Sequence, residues 1–139
     1  DQENVEFVWA SDLVKKEGYW DTVMNIASRT TLNRILRTTQ IMGRSEKDKL
    51  NASQIMYPLM QATDIFMLGA RVTQLGLDQR KVNMLVRQVG EELGFWKPVV
   101  SSTHMLLGLD APTSDSTDAR ERAIANKMSK SKPDSAIFL

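Results

Sequence analysis

The stretch RVTQLGLDQRKVNMLVRQVGEELG, residues 71–94, changes its hydrophobic period halfway along. RVTQL (71–75) predicts a short strand. Further on, Val82, Leu85, Val86, Val89 and Leu93 recur every three or four residues, the inward stripe of a helix that Gly94 stops. Between the two lies Gly76-x-Asp78, with Asp78 well placed to cap the helix. A strand leading through such a turn into a helix N-terminus is the usual nucleotide site of open α/β sheets. Glycine allows close backbone approach, and a carboxylate just past the strand can bind ribose hydroxyls. Ordinary turn and cap chemistry produces the same pattern, so the segment alone leaves both readings open.

Working outward, PVVSS (98–102) predicts a further strand, and VEFVWA (5–10) a buried one ended by Ser11 and Asp12. From Asp21 to Met42 the residues Met24, Ala27, Leu32, Ile35, Leu36 and Met42 have roughly helical spacing, closed by Gly43. GRSEKDKLNAS (43–53) is a polar connection to a helix over about Gln54–Leu68, in which Pro58 demands an early-turn position or a kink. Residues 111–135 are polar and turn-rich and are expected to be mobile. Strands alternating with helices predict an α/β layer structure with a mainly parallel sheet.

The 139 residues suit one domain, and 42% apolar composition is enough for a core. Eighteen basic against 17 acidic residues give no overall case for nucleic-acid binding. Residues 29–49 are locally basic, with Arg29, Arg34, Arg37, Arg44, Lys47 and Lys49 against Glu46 and Asp48. A solvated helix face and a site for an acidic partner both fit. The absence of cysteine excludes disulfides and thiolate metal sites, and His104 alone cannot build a histidine-rich one. No apolar run approaches the ~20 residues of a membrane span, and the start does not resemble a signal peptide. The opening Asp-Gln-Glu-Asn, without methionine, points to a piece of a longer protein.

Two further constellations bear on chemistry. In IMYPLMQATDIFML (55–68), Tyr57, Gln61 and Asp64 stand at i, i+4 and i+7, on one face of a helix otherwise almost wholly apolar. Such a stripe either faces solvent or lines a pocket, and the apolar flanks favour the pocket. Buried polar groups need partners, which a small polar ligand can supply. In KMSKS (127–131), Lys127 and Lys130 can converge on one anion from a loop, with Ser129 and Ser131 as added donors. A charged surface loop is the plain alternative.

KMSKS is also the second signature of class I aminoacyl-tRNA synthetases. YPLMQATD, LGLDQRK, LLGLD and KMSKSKPDSAIFL, in this order and spacing across about residues 5–139, resemble tyrosyl-tRNA synthetases of the archaeal and eukaryotic type. The resemblance implies a Rossmann-like nucleotide-binding fold with a helical connective insertion, and these roles. Tyr57 and Gln61 bind the amino group of L-tyrosine, Asp64 accepts from its phenol, and Gln79 holds the α-amino or carboxylate end. Asp78 binds the ATP ribose. Lys127, Met128, Ser129, Lys130 and Ser131 form the loop over ATP, with Lys130 on phosphate and Met128 near adenine. The implied reaction is ATP-dependent activation of tyrosine and transfer to tRNA(Tyr), with Mg2+ accompanying ATP, in a cytoplasmic homodimer without membrane attachment.

The same resemblance divides the chain into an insertion (13–53), an amino-acid and ribose site (54–110), and a polar insert with the signature loop (111–139). The family's other signature, His-x-Gly-His, is absent from this chain, which has one histidine. Residues 1–139 are therefore expected to be a partial catalytic domain, inactive alone. Three alternatives stand beside this reading: a tryptophanyl enzyme of the same subclass, a non-catalytic synthetase-like module binding RNA or protein, and a generic phosphate-binding domain. Asp64 and the Tyr57/Gln61 pair disfavour the first, because an indole offers only a donor N–H and needs a different pocket end.

Overall fold

A computed structural model describes residues 2–38, 49–109, 117, 119–129 and 133–137. Their order is α1 (Ala10–Leu13), α2 (Tyr19–Ser28), α3 (Leu32–Thr38), α4 (Ala52–Met67), β1 (Val72–Gly76), α5 (Arg80–Glu92), β2 (Val99–Thr103) and α6 (Ala119–Ala125). β1 and β2 run parallel, in register from Val72 opposite Val99 to Gly76 opposite Thr103. With α5 as the crossover they form a β-α-β unit, the connection that parallel strands require. The α/β reading of residues 71–103 therefore stands.

The amphipathic stripe of α5 explains the packing. Val82, Leu85, Val86 and Val89 are all buried and meet Leu59, Ala62, Ile65 and Phe66 of α4 in one core. On its other side α4 receives Tyr19, Val23 and Ile26 of α2, with Ile35 of α3. Burying each such aliphatic side chain contributes roughly 1.5–3 kcal/mol, so α4 sits at the centre of the fold's stability. Its start is fixed by a capping box: Asn51 Oδ1 accepts from the Gln54 amide, and Gln54 Oε1 from the Asn51 amide, both at 3.0 Å. Pro58 falls in the second turn of α4 and is buried.

At the far end of α4 an aromatic clasp joins it to α5. Phe66 stacks on Phe95 with centroids 4.4 Å apart, and meets Trp96 edge-on at 5.7 Å. Trp96 Nε1 donates to the Ala70 carbonyl at 2.8 Å. Gly90 lets this clasp close, because a Cβ there would lie 2.6 Å from the Trp96 carbonyl oxygen.

Three expectations need correction. Residues 5–9 form no strand and are exposed, with Phe7 87% accessible, and Ala10 already begins α1. A strand exists only through a ladder partner, and among the described residues none pairs with this segment. The long helix expected over 21–42 starts earlier, at Tyr19, and breaks at Arg29–Thr31. A new helix then starts at Leu32, with the Arg34 amide donating to Thr31 Oγ1 at 3.4 Å. Residues 39–48, including Met42, Gly43, Arg44 and Lys47, lie outside the described residues. The polar tail, finally, is not all loop, since Ala119–Ala125 is helical.

The basic segment is partly engaged within the chain. Arg34 donates to Gln88 Oε1 on α5, and Arg29 to the Asn25 carbonyl, while Arg37 is exposed.

Candidate active site

The polar stripe of α4 is laid across the start of α5. Gln61 Nε2 donates to Gln79 Oε1 at 2.9 Å, so one residue expected at the amino-acid end touches another. One turn further along α4, Asp64 Oδ1 accepts from the Tyr19 hydroxyl at 2.7 Å. Tyr57, at the N-terminal end of the stripe, stays 51% exposed. The stripe is thus partly buried at 61 and 64 and open at 57, rather than enclosed throughout.

Burial shifts the ionisation of the buried pair. It pushes the Asp64 carboxyl above its ordinary range, and the bond donated by Tyr19 pulls it back towards the ionised form. The Tyr19 phenol is pushed up first by burial, then by that hydrogen bond, then by the Asp64 charge. Tyr19 therefore keeps its proton and donates it to Asp64.

Asp78 does not cap α5. It lies in a 3-10 turn, Leu77–Gln79; the N-cap is Gln79, with no side-chain cap bond. The buried Asp78 carboxylate turns instead to the signature segment, where its Oδ2 meets Lys127 Nζ at 2.7 Å. A carboxylate removed from water needs a charged or multiply donating partner, and a cap's single amide bond is a weaker substitute. Gly76 makes room for this, since a Cβ there would stand 2.7 Å from Asp78 Oδ1.

The first part of the signature is held in place. Lys127 forms an antiparallel bridge with Leu107, and the Met128 amide donates to the Leu106 carbonyl at 2.7 Å. Buried Ser135 donates through Oγ to the Ser129 carbonyl at 3.3 Å. Lys130 and Ser131, also assigned to the ATP loop, lie outside the described residues.

Adjacent residues therefore make two contacts: Gln79 reaches the polar stripe of α4 and Asp78 reaches Lys127 of the KMSKS segment. Tyr19 and Ser135 were not among the residues expected here. Tyr19 was legible in principle, because Tyr19, Val23 and Ile26 continue one apolar stripe back past Asp21. No sequence signal marked Ser135.

The whole chain, residues 1–139, matches the family described as tRNA synthetases class I (W and Y). The chain belongs to this family. It is similar to the cytoplasmic tyrosine–tRNA ligase 2 of Arabidopsis thaliana, 50% identical over 140 residues, covering 99% of this chain and 17% of the relative. Among solved structures it resembles tyrosyl-tRNA synthetase from Pyrococcus horikoshii complexed with L-tyrosine, with 37% identity and a TM-score of 0.86 over 99% of this chain and 41% of that one. The Leishmania major tyrosyl-tRNA synthetase in complex with tyrosinol is also similar, at 42% identity and a TM-score of 0.81 over 99% of this chain and 19% of that one. The chain spans 17% to 40% of the length of such curated relatives.

Proposed function

We propose that the protein carrying this chain is a tyrosine–tRNA ligase. The observation that supports this most is the junction at residues 78 and 79, which ties a polar amino-acid stripe to a phosphate-binding signature. Asp64 accepts from the substrate phenol, while Tyr57, Gln61 and Gln79 hold its α-amino and carboxylate end. Asp78 exchanges Lys127 for ribose hydroxyls when ATP enters, freeing that lysine for the phosphates. Lys130, with Ser129 and Ser131, adds donors there, and the Met128 backbone borders the adenine.

A tyrosine carboxylate oxygen then attacks the α-phosphorus, the bond to the β-phosphate oxygen breaks, and tyrosyl-adenylate and pyrophosphate form. A terminal ribose hydroxyl of tRNA(Tyr) next attacks the acyl carbon, and AMP leaves. The protein's contribution is orientation and charge placed where negative charge develops. Lysines arriving from a closing loop favour the transition state over the ground state. Mg2+ enters with the ATP phosphates; among the described residues no cluster of three or more His, Cys, Asp or Glu side chains is placed to hold a metal.

The proposal extends to the rest of the molecule. Residues 13–53 act as the connective insertion; about residues 20–50 contribute to a homodimer contact and lie near the tRNA acceptor stem, where the basic residues find an acidic partner. Residues 54–110 carry the amino-acid and ribose site, and 111–139 the polar insert and loop. A cytoplasmic location follows the naming of the Arabidopsis relatives; none of the helices described is long and apolar enough to cross a membrane.

Thermal unfolding of the full-length protein tests the ligand assignment. Tyrosine at a hundredfold excess over its Kd is expected to add about 2.7 kcal/mol of stability, seen as a higher Tm. A shift with nucleotide alone and none with tyrosine supports the generic phosphate-binding alternative instead.

A further inference from the structure

Tyr19 is 1% exposed, and its ring packs edge-on against Trp20 at 5.5 Å. Its hydroxyl crosses from α2 to α4 and donates to Asp64 Oδ1 at 2.7 Å, a bond between residues 45 apart in sequence. The Met60 carbonyl, at 3.4 Å, is a weak second acceptor. A buried phenol needs an acceptor, and a backbone carbonyl usually suffices. Here the main acceptor is the carboxylate proposed to read the substrate. Among the described residues no group donates to the other oxygen, Oδ2.

We propose that Tyr19 is a positioning residue for amino-acid specificity: it anchors Asp64 through Oδ1 and leaves Oδ2 as the acceptor for the substrate's phenol. This rests on the tyrosine reading of the site. The terminal torsion of Asp is broad, so an unanchored carboxylate samples many planes. One fixed oxygen removes that freedom and directs the second oxygen's lone pairs. The bond also opposes the upward push that burial exerts on the Asp64 carboxyl. An ionised carboxylate only accepts, so it rewards a ligand that brings a hydroxyl and gives nothing to a phenyl ring.

The test is Tyr19→Phe in the full-length protein, with amino-acid-dependent pyrophosphate exchange measured for tyrosine and phenylalanine. The ring stays and only the hydroxyl goes. KM for tyrosine is expected to rise about tenfold, the scale of one hydrogen bond to a charged group, with kcat little changed. kcat/KM for phenylalanine is expected to stay the same, so the tyrosine-to-phenylalanine ratio falls about tenfold. Both substrates are read on the same folded population, so any loss of folded protein cancels from the ratio. A merely structural role lowers both substrates together and leaves the ratio intact, which overturns the proposal. In an Asp64→Ala background, Tyr19→Phe is expected to leave the ratio unchanged; a further tenfold loss there shows that Tyr19 does not act through Asp64. If the unsubstituted protein activates no tyrosine, the functional reading itself fails. If it prefers tyrosine and Tyr19→Phe keeps that preference, this proposal alone fails.

Discussion

Asp64→Ala is expected to remove most of the protein's discrimination between tyrosine and phenylalanine. A site built to bond a substrate hydroxyl rejects the analogue lacking it, because its own polar groups are otherwise left unpaired. For tyrosyl-tRNA synthetases as a class that rejection is about 10⁴–10⁵, a general property of such enzymes that holds independently of the geometry seen in this chain. In the proposed site Asp64 would impose this penalty: it is half-buried, accepts from Tyr19, and has one oxygen without a partner among the described residues. With alanine there, phenylalanine no longer strands a carboxylate and tyrosine no longer gains a bond. The tyrosine-to-phenylalanine ratio of kcat/KM should fall by at least about a hundredfold, the scale of a charge-assisted bond plus the desolvation it offset. Tyrosine activation should fall and phenylalanine activation should rise or hold. Equal losses for both substrates would show that Asp64 supports the fold rather than the choice.

The largest stability effect is expected at Phe66, where Phe66→Ala should cost about 3–5 kcal/mol. That is a large part of the ~5–15 kcal/mol by which domains are usually stable. Phe66 is buried, stacked on Phe95 and edge-on to Trp96, with Gly90 of α5 close against its ring. Removing the ring empties the joint between the end of α4 and the end of α5, and the dense surroundings can collapse only partly. The consequence reaches function, because α4 carries Gln61 and Asp64 while α5 follows directly on Asp78 and Gln79. A lower urea midpoint together with a raised KM for tyrosine is the expected outcome. A loss below about 1 kcal/mol would mean that other contacts fix the two helices.

The sequence made α5 and its flanking strands readable because period and punctuation agree there: β-branched residues, then Gly-x-Asp, then a stripe at helical spacing. The stripe on α4 was equally visible, since three polar residues on an apolar helix stand out from any background. What it could not show was tertiary pairing. Lys127 lies 49 residues from Asp78, and no local rule distinguishes a capping carboxylate from one that turns to a distant lysine. The pairing of Tyr19 with Asp64 was hidden for the same reason, as the two lie on different helices. VEFVWA misled because its β propensity is real, yet propensity provides no partner strand. The break at Arg29–Thr31 shows the opposite failure, where the helix stops although the apolar stripe continues beyond it.

The most direct test of the central claim is pyrophosphate exchange by the full-length protein with tyrosine, tryptophan or no amino acid. Exchange that depends on tyrosine, with tryptophan near the blank, is the predicted result. A preference for tryptophan, or exchange indifferent to the amino acid, would contradict it.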